Sequence, residues 1–196
     1  RSQTHGMFRG QVSDVVDPSF LDVRTDIGVD LSGSTGWGVS WADLDLDTDL
    51  DLVLVNGGIP ITDLHADAQQ LRAFENRTAQ GEPGLYSDLT TAGLAEVGLL
   101  NARGSAAADF DNDGDLDIAV NSIGAPLVLL ENTGTEGTWL EVSLDGFAPG
   151  AMVSVQLPGG TELTREIQAG SSYLSSADPR THFGLGDATV VDRVVV

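Results

Sequence analysis

Two nine-residue stretches place an aspartate at every odd position. The first is DLDLDTDLD, with Asp43, Asp45, Asp47, Asp49 and Asp51; the second is DFDNDGDLD, with Asp109, Asp111, Asp113, Asp115 and Asp117. A constant offset of 66 residues carries each aspartate of one onto its mate in the other. Like charges a few Å apart repel by roughly 1 kcal/mol in water and by several times that near a protein surface. Such a stretch closes into a compact turn only around something positive. Apolar residues follow directly, LVLVN after Asp51 and IAVNS after Asp117, so each acidic turn is expected to lead into a strand.

The duplication extends beyond the loops. The same offset carries Phe20 onto Tyr86, Asp22 onto Asp88 and Gly38 onto Gly104. Downstream, LRAFENRT (71–78) matches LVLLENTG (127–134) at an offset of 56, so the first unit holds ten extra residues, placed in the polar stretch DLHADAQQ (63–70). Short β-like runs broken by Gly and Asp, in repeated units of this length, point to propeller blades. From Thr138 the texture changes: TWLEVSL, AMVSVQL and TELTREI alternate apolar and polar residues, with PGG (158–160) between the last two. That predicts a strand and then a hairpin with one buried face. The expected class is all-β: two blade-like repeats, 19–78 and 85–134, then a small β-sandwich-like domain over 138–196. Residues 1–18 form an N-terminal segment read as a candidate edge or assembly strand.

The acidic spacing has a coordination logic. Oxygens from positions 1, 3, 5, 7 and 9 of such a loop can surround one hard cation, position 7 usually through its backbone carbonyl. Glycine at position 6 permits the sharp turn that returns the later ligands. In the second loop this assigns side-chain ligands to Asp109, Asp111, Asp113 and Asp117, the carbonyl to Asp115 and the turn to Gly114. Many oxygen ligands in an irregular loop favour Ca²⁺ over Mg²⁺ and disfavour zinc and copper. Position 12 lacks the glutamate of an EF-hand. In the first loop Thr48 stands where glycine is preferred, and a β-branched residue resists positive φ. That loop, Asp43–Asp51, is expected to bind more weakly or with altered geometry. Two Ca²⁺ sites are thus expected, each tying two strands together.

Composition narrows the partners. Nine Lys and Arg against 30 Asp and Glu give a net charge of −21, which excludes nucleic acid and anionic membrane as natural partners. No apolar run is long enough to insert in a bilayer. Cysteine is absent, so disulfides, thiolate zinc sites and Cys nucleophiles are excluded. The sequence contains no H-E-x-x-H, G-x-S-x-G or phosphate-loop motif. His5, His65 and His182 are scattered; His182 is expected to be packed or hydrogen-bonded, and Asp178 and Arg180 to form a structural pair. Trp37, Trp41 and Trp139 could stack on sugars, although core packing is the expected role for most of them. The chain is read as non-catalytic.

ADFDNDGDLDIAV resembles the FG-GAP/VCBS repeat, and SFLDV and LYSDLTTAGL resemble the segments opening such units in cartilage-acidic-protein-like chains. GAMVSVQLPGG, REIQAGSSYLSS and DPRTHFGLGDATVVDRVVV resemble the ASPIC/UnbV domain that follows those repeats. The resemblance implies a secreted or cell-surface calcium-binding protein with an adhesive or matrix role. Two repeats cannot close a propeller, and open outer strands invite another chain. A homo-oligomer or homopolymer, ring or filament, is therefore expected. The alternative is a calcium-dependent module that recognises an extracellular glycan or matrix protein without polymerising.

Overall fold

The computed structural model describes residues 8–11, 19–31, 33–134 and 137–196. Its strands are β1 (Phe8–Gln11), β2 (Ser19–Asp22), β3 (Gly36–Ala42), β4 (Asp51–Asn56), β5 (Gln69–Gln70), β6 (Arg72–Asn76), β7 (Tyr86–Asp88), β8 (Leu99–Leu100), β9 (Ala102–Ala108) and β10 (Asp117–Ser122). They continue with β11 (Val128–Leu130), β12 (Trp139–Val142), β13 (Met152–Gln156), β14 (Glu162–Glu166), β15 (Thr181–Gly184) and β16 (Arg193–Val195). One α-helical turn, α1 (Thr90–Gly93), and a 3-10 turn (Ala95–Val97) interrupt them. The described fold is all-β, as the sequence predicts. Of the N-terminal segment only β1 is described, paired antiparallel with β2; His5 lies outside the described residues.

The two repeats share one plan. The first forms the antiparallel strands β3-β4-β6, to which β7, from the start of the second repeat (85–134), adds as a fourth strand; the second forms a three-stranded sheet in the order β9-β10-β11. Leu52 faces Phe74 and Val53 faces Ala73 in the first; Ile118 faces Leu130 and Ala119 faces Leu129 in the second. These are repeat mates, so the register is duplicated together with the sequence. β4 and β10 are central strands with apolar residues on both faces, which is why they read as nearly continuous apolar runs. One core lies between the repeats and joins Val53, Val55, Leu71 and Ala73 to Ala102, Ile118 and Val120. A second lies on the other face of the first sheet, where Leu52 and Phe74 meet Ile27, Val29 and Leu31.

The C-terminal unit has two small sheets, β12-β15 and β14-β13-β16, which share a core of Val153, Val155, Leu163 and Phe183. The Pro158–Gly160 turn joins β13 to β14 as predicted, with Val155 opposite Leu163. This unit rests on both acidic loops. Gly186 N donates to Leu46 O at 2.8 Å, and Arg180 Nη2 donates to Asp109 O at 3.3 Å. A serine-rich arm, 170–176, crosses the two innermost strands. Val39 N donates to Ser172 Oγ at 3.1 Å, and Ser105 Oγ lies 2.8 Å from Ser40 Oγ and 3.2 Å from Ser172 Oγ. A Cβ on Gly38 would strike Ser172 Oγ and Arg103 O, and one on Gly104 would strike Tyr173 O. The repeat-paired glycines therefore let one arm lie against both sheets.

The tryptophans divide. Trp37 packs edge-on against Tyr173 at 5.1 Å, under the Arg103 guanidinium at 4.1 Å. Core packing, expected for most of the three, does not describe the other two: Trp41 is 47% exposed and Trp139 40%. Trp41 sits on an outward position of β3, where strand alternation turns it away from the core.

Candidate metal centres

Each acidic loop links two adjacent strands of one sheet, β3 to β4 and β9 to β10, and the two loops have the same backbone. Leu46 and Asn112 take φ of 59° and 62°; Thr48 and Gly114 take 90° and 103°. Thr48 thus adopts the conformation that its side chain resists, and at these positions the backbone of the first loop follows that of the second. Gly114 has a further reason to be glycine, because a Cβ there would run into the Trp139 indole.

The hydrogen bonds repeat as well. Thr48 N donates to Asp43 Oδ2 at 3.1 Å, and Gly114 N donates to Asp109 Oδ2 at 3.0 Å. Leu44 N donates to Asp51 Oδ2 at 2.9 Å, and Phe110 N donates to Asp117 Oδ2 at 3.2 Å. The second oxygens of these last aspartates accept from the next strand: Asn76 N to Asp51 Oδ1 at 2.7 Å, and Asn132 N to Asp117 Oδ1 at 2.8 Å. Asp51 and Asp117 therefore bind the loops to the sheets. Asp49 Oδ2 is turned out to Ala79 N at 2.8 Å, while Asp115 is buried and its amide donates to Asp113 Oδ1 at 3.0 Å.

The remaining carboxylates converge on one another. One carboxylate oxygen from each of Asp43, Asp45 and Asp47 lies within 4.8 Å of the others, and so it is for Asp109, Asp111 and Asp113. Ligands on opposite sides of an ion bonded at about 2.3–2.6 Å lie at most about 5 Å apart. Asp43 and Asp109 are 0% and 3% exposed, and the Oδ1 of each has no hydrogen-bond partner. A buried carboxylate oxygen without a donor is costly. Finding it at the same position of both loops fits a cation completing the shell. These two acidic clusters could hold a metal ion.

The electrostatics agree. Burial, then the Asp47 charge, pushes Asp43 up to about 7; burial and Asp47 push Asp45 up to about 6. Burial pushes Asp51 up to about 8 against the pull of the Asn76 and Leu44 amides. From the C-terminal unit, His182 Nε2 lies 2.8 Å from Gly114 O, and its ring stacks on Trp139 at 5.9 Å between centroids. A carbonyl only accepts, so Nε2 carries the proton; burial lowers the pKa of the ring and keeps it neutral. Arg180 pairs with Asp178, as expected, and also reaches Glu141 at 2.7 Å. Sequence reasoning missed the roles of Asn76 and Asn132, although the ENRT/ENTG match had placed them at one repeat position.

Residues 142–196 match the family described as ASPIC and UnbV. Over 224 residues the chain is 26% identical to cartilage acidic protein 1 of Xenopus tropicalis, covering 87% of this chain and 35% of that protein. Over 91 residues it is 37% identical to cartilage acidic protein 1 of Mus musculus and of Homo sapiens, covering 42% of this chain and 14% of each. The chain spans about a third of the length of the Xenopus protein. It thus carries a C-terminal ASPIC/UnbV domain and is similar to cartilage acidic protein 1 over most of its length.

Proposed function

We propose that the chain is a non-catalytic, extracellular structural or adhesion protein, in which two Ca²⁺ ions stabilise FG-GAP/VCBS-type loops and copies associate through exposed strand edges. The observation that carries the calcium reading is the partnerless buried Oδ1 of Asp43 and of Asp109, in two loops of one backbone. Asp43, Asp45 and Asp47 would hold one ion and Asp109, Asp111 and Asp113 the other, with the carbonyls of Asp49 and Asp115 completing the shells. Asp51 and Asp117, expected as ligands from their spacing, have both carboxylate oxygens on backbone amides and position the loops instead. Oxygen-only donors in irregular loops favour Ca²⁺.

An ion here fixes the turn between two strands and neutralises charges that otherwise repel. The extracellular reading is supported by the name of the relatives, which points to cartilage. The non-catalytic reading is supported by His182, which is committed to the Gly114 carbonyl. Calorimetric titration with Ca²⁺ tests the proposal. Two sites and a rise in melting temperature support it; indifference of both signals to calcium and to chelator overturns it.

Trp41 favours a second reading. It is 47% exposed, two residues before Asp43, and suited to stacking on a sugar ring. In that case the protein is a calcium-dependent module for an extracellular glycan or matrix protein. Glycan-array binding that is lost with chelator and in Trp41→Ala would favour it over self-association.

A further inference from the structure

The sheet of the first repeat is closed by β7, the opening strand of the second repeat, whereas the sheet of the second repeat has no such strand among the described residues. β7 covers the outer edge of β6, pairing Phe74 with Asp88, Glu75 with Ser87 and Asn76 with Tyr86. The repeat mate of β6 is β11, which stands at the edge of its sheet with no strand beyond it among the described residues. The repeat mate of β7 is β2, since Phe20 and Asp22 fall on Tyr86 and Asp88. β2 belongs to neither blade sheet; it forms a separate two-stranded ribbon with β1. Among the described residues β11 thus leaves an edge unfilled, and β2 is a strand of the kind that fills it, outside both sheets.

Side-chain exposure marks the same gap. Leu71 and Ala73, on β6 and its lead-in, are 0% and 6% exposed beneath the second repeat. Their mates Leu127 and Leu129 are 69% and 53% exposed. On the donor side Phe20 is 62% and Leu21 51% exposed, whereas Tyr86 packs against the Phe74 core. The interface between the repeats is thus half-built at each end of the repeat pair.

We propose that β2 of one copy adds to the free edge of β11 in a second copy, in the register that β7 holds on β6. This deepens the self-association reading and rests on it. The repeat offsets set Asp22 of the donor opposite Leu130 of the acceptor, Leu21 opposite Glu131 and Phe20 opposite Asn132. Leu127 and Leu129 are then covered by the donor copy, as the second repeat covers Leu71 and Ala73. Donor and acceptor surfaces differ, so the contact runs head to tail. Backbone pairing supplies the attraction, and the exposed apolar residues supply the register.

The absence of cysteine makes the register testable by trapping. Leu21→Cys and Glu131→Cys both alter exposed residues, so neither disturbs the core. Directly opposed residues of paired strands stand within disulfide reach. Equal amounts of the two variants, oxidised in calcium, are expected to form the mixed dimer several-fold faster than Leu21→Cys with Thr164→Cys on β14. Leu129→Lys is expected to leave the melting temperature unchanged and to shift mass-photometry populations toward monomer. Equal rates for the two mixtures overturn the proposal, as does a disulfide within single chains of the Leu21→Cys/Glu131→Cys double variant. Assemblies that form without the Leu21–Glu131 cross-link overturn this pairing and leave self-association standing. Monomers at every concentration overturn both.

Discussion

At the residue scale the first loop carries its own strain. Thr48 holds φ of 90° where its mate Gly114 holds 103°, a conformation that costs a β-branched residue about 1–3 kcal/mol. Thr48→Gly is expected to stabilise the protein by about 1 kcal/mol, read from urea unfolding in chelator. It is also expected to tighten calcium at the first loop alone. The titration of the same loop gives a sign. In the metal-free protein Asp43, Asp45 and Asp51 have folded values of about 7, 6 and 8, above the ordinary 3.8. A raised folded value means that the native state binds more protons than the unfolded chain. Their contribution is complete below about pH 4 and is lost as pH rises to about 8. Asp63, Asp67, Asp88 and Asp178 are shifted down, so their contribution is complete above about pH 4, is lost only below it and does not change between pH 5 and pH 8. Calcium-stripped protein is therefore expected to melt lower at pH 8 than at pH 5. Saturating calcium reverses the order, because protons then compete with the ion. Melting of the stripped protein that stays level across this range would contradict the burial argument.

At the scale of the element, each loop separates two jobs among its aspartates. Asp117 accepts from Phe110 N and Asn132 N and so holds β10 to β11; Asp111 is exposed and gives one oxygen to Asp113 N, which leaves its other oxygen to face an ion. Asp117→Ala is expected to cost about 2–4 kcal/mol with or without calcium, since two amides lose their acceptor. Asp111→Asn is expected to leave stability in chelator unchanged and to remove most of the calcium-induced rise. Equal behaviour of the two variants would dissolve the distinction. The strands on either side were legible in the sequence, because Leu52–Asn56 and Ile118–Ser122 follow their loops as apolar runs in duplicate. The division of labour was not legible. Five aspartates at alternate positions look alike until the amides of Asn76 and Asn132, 25 and 15 residues away, select one of them.

At the scale of the molecule, the C-terminal unit braces the loops that the repeats provide. His182 holds the Gly114 carbonyl, and Gly186 holds that of Leu46. His182→Phe keeps the stacking on Trp139 but leaves Gly114 O without its donor. It is expected to cost about 1–3 kcal/mol and to weaken calcium at the second loop more than at the first. Gly104→Ala forces a methyl group against Tyr173 O, at an expected cost of about 1–3 kcal/mol. Faster proteolysis within 170–176 would show that the arm had lifted from both sheets. A calcium ion bound at each loop at 100 times its dissociation constant would add about 2.7 kcal/mol of stability. Chelation is therefore expected to lower the melting temperature of the whole chain in one transition, because loops, sheets and C-terminal unit share contacts.

The sequence by itself determined the all-β class, the duplicated unit, the acidic turns and the strands that leave them. These features are local: period-two patterning, turn chemistry and charge spacing are written in neighbouring residues. Only the tertiary structure decided that Thr48 would take the glycine conformation, since that cost is overruled by a loop closed at both ends. Contacts between distant residues likewise decided that GSSYLSS is an arm across β3 and β9, and that Trp41 faces outward. Among the described residues they also left β2 paired with β1 outside both repeat sheets and β11 at a sheet edge. Such outcomes depend on which surfaces meet, and spacing along the chain does not encode that.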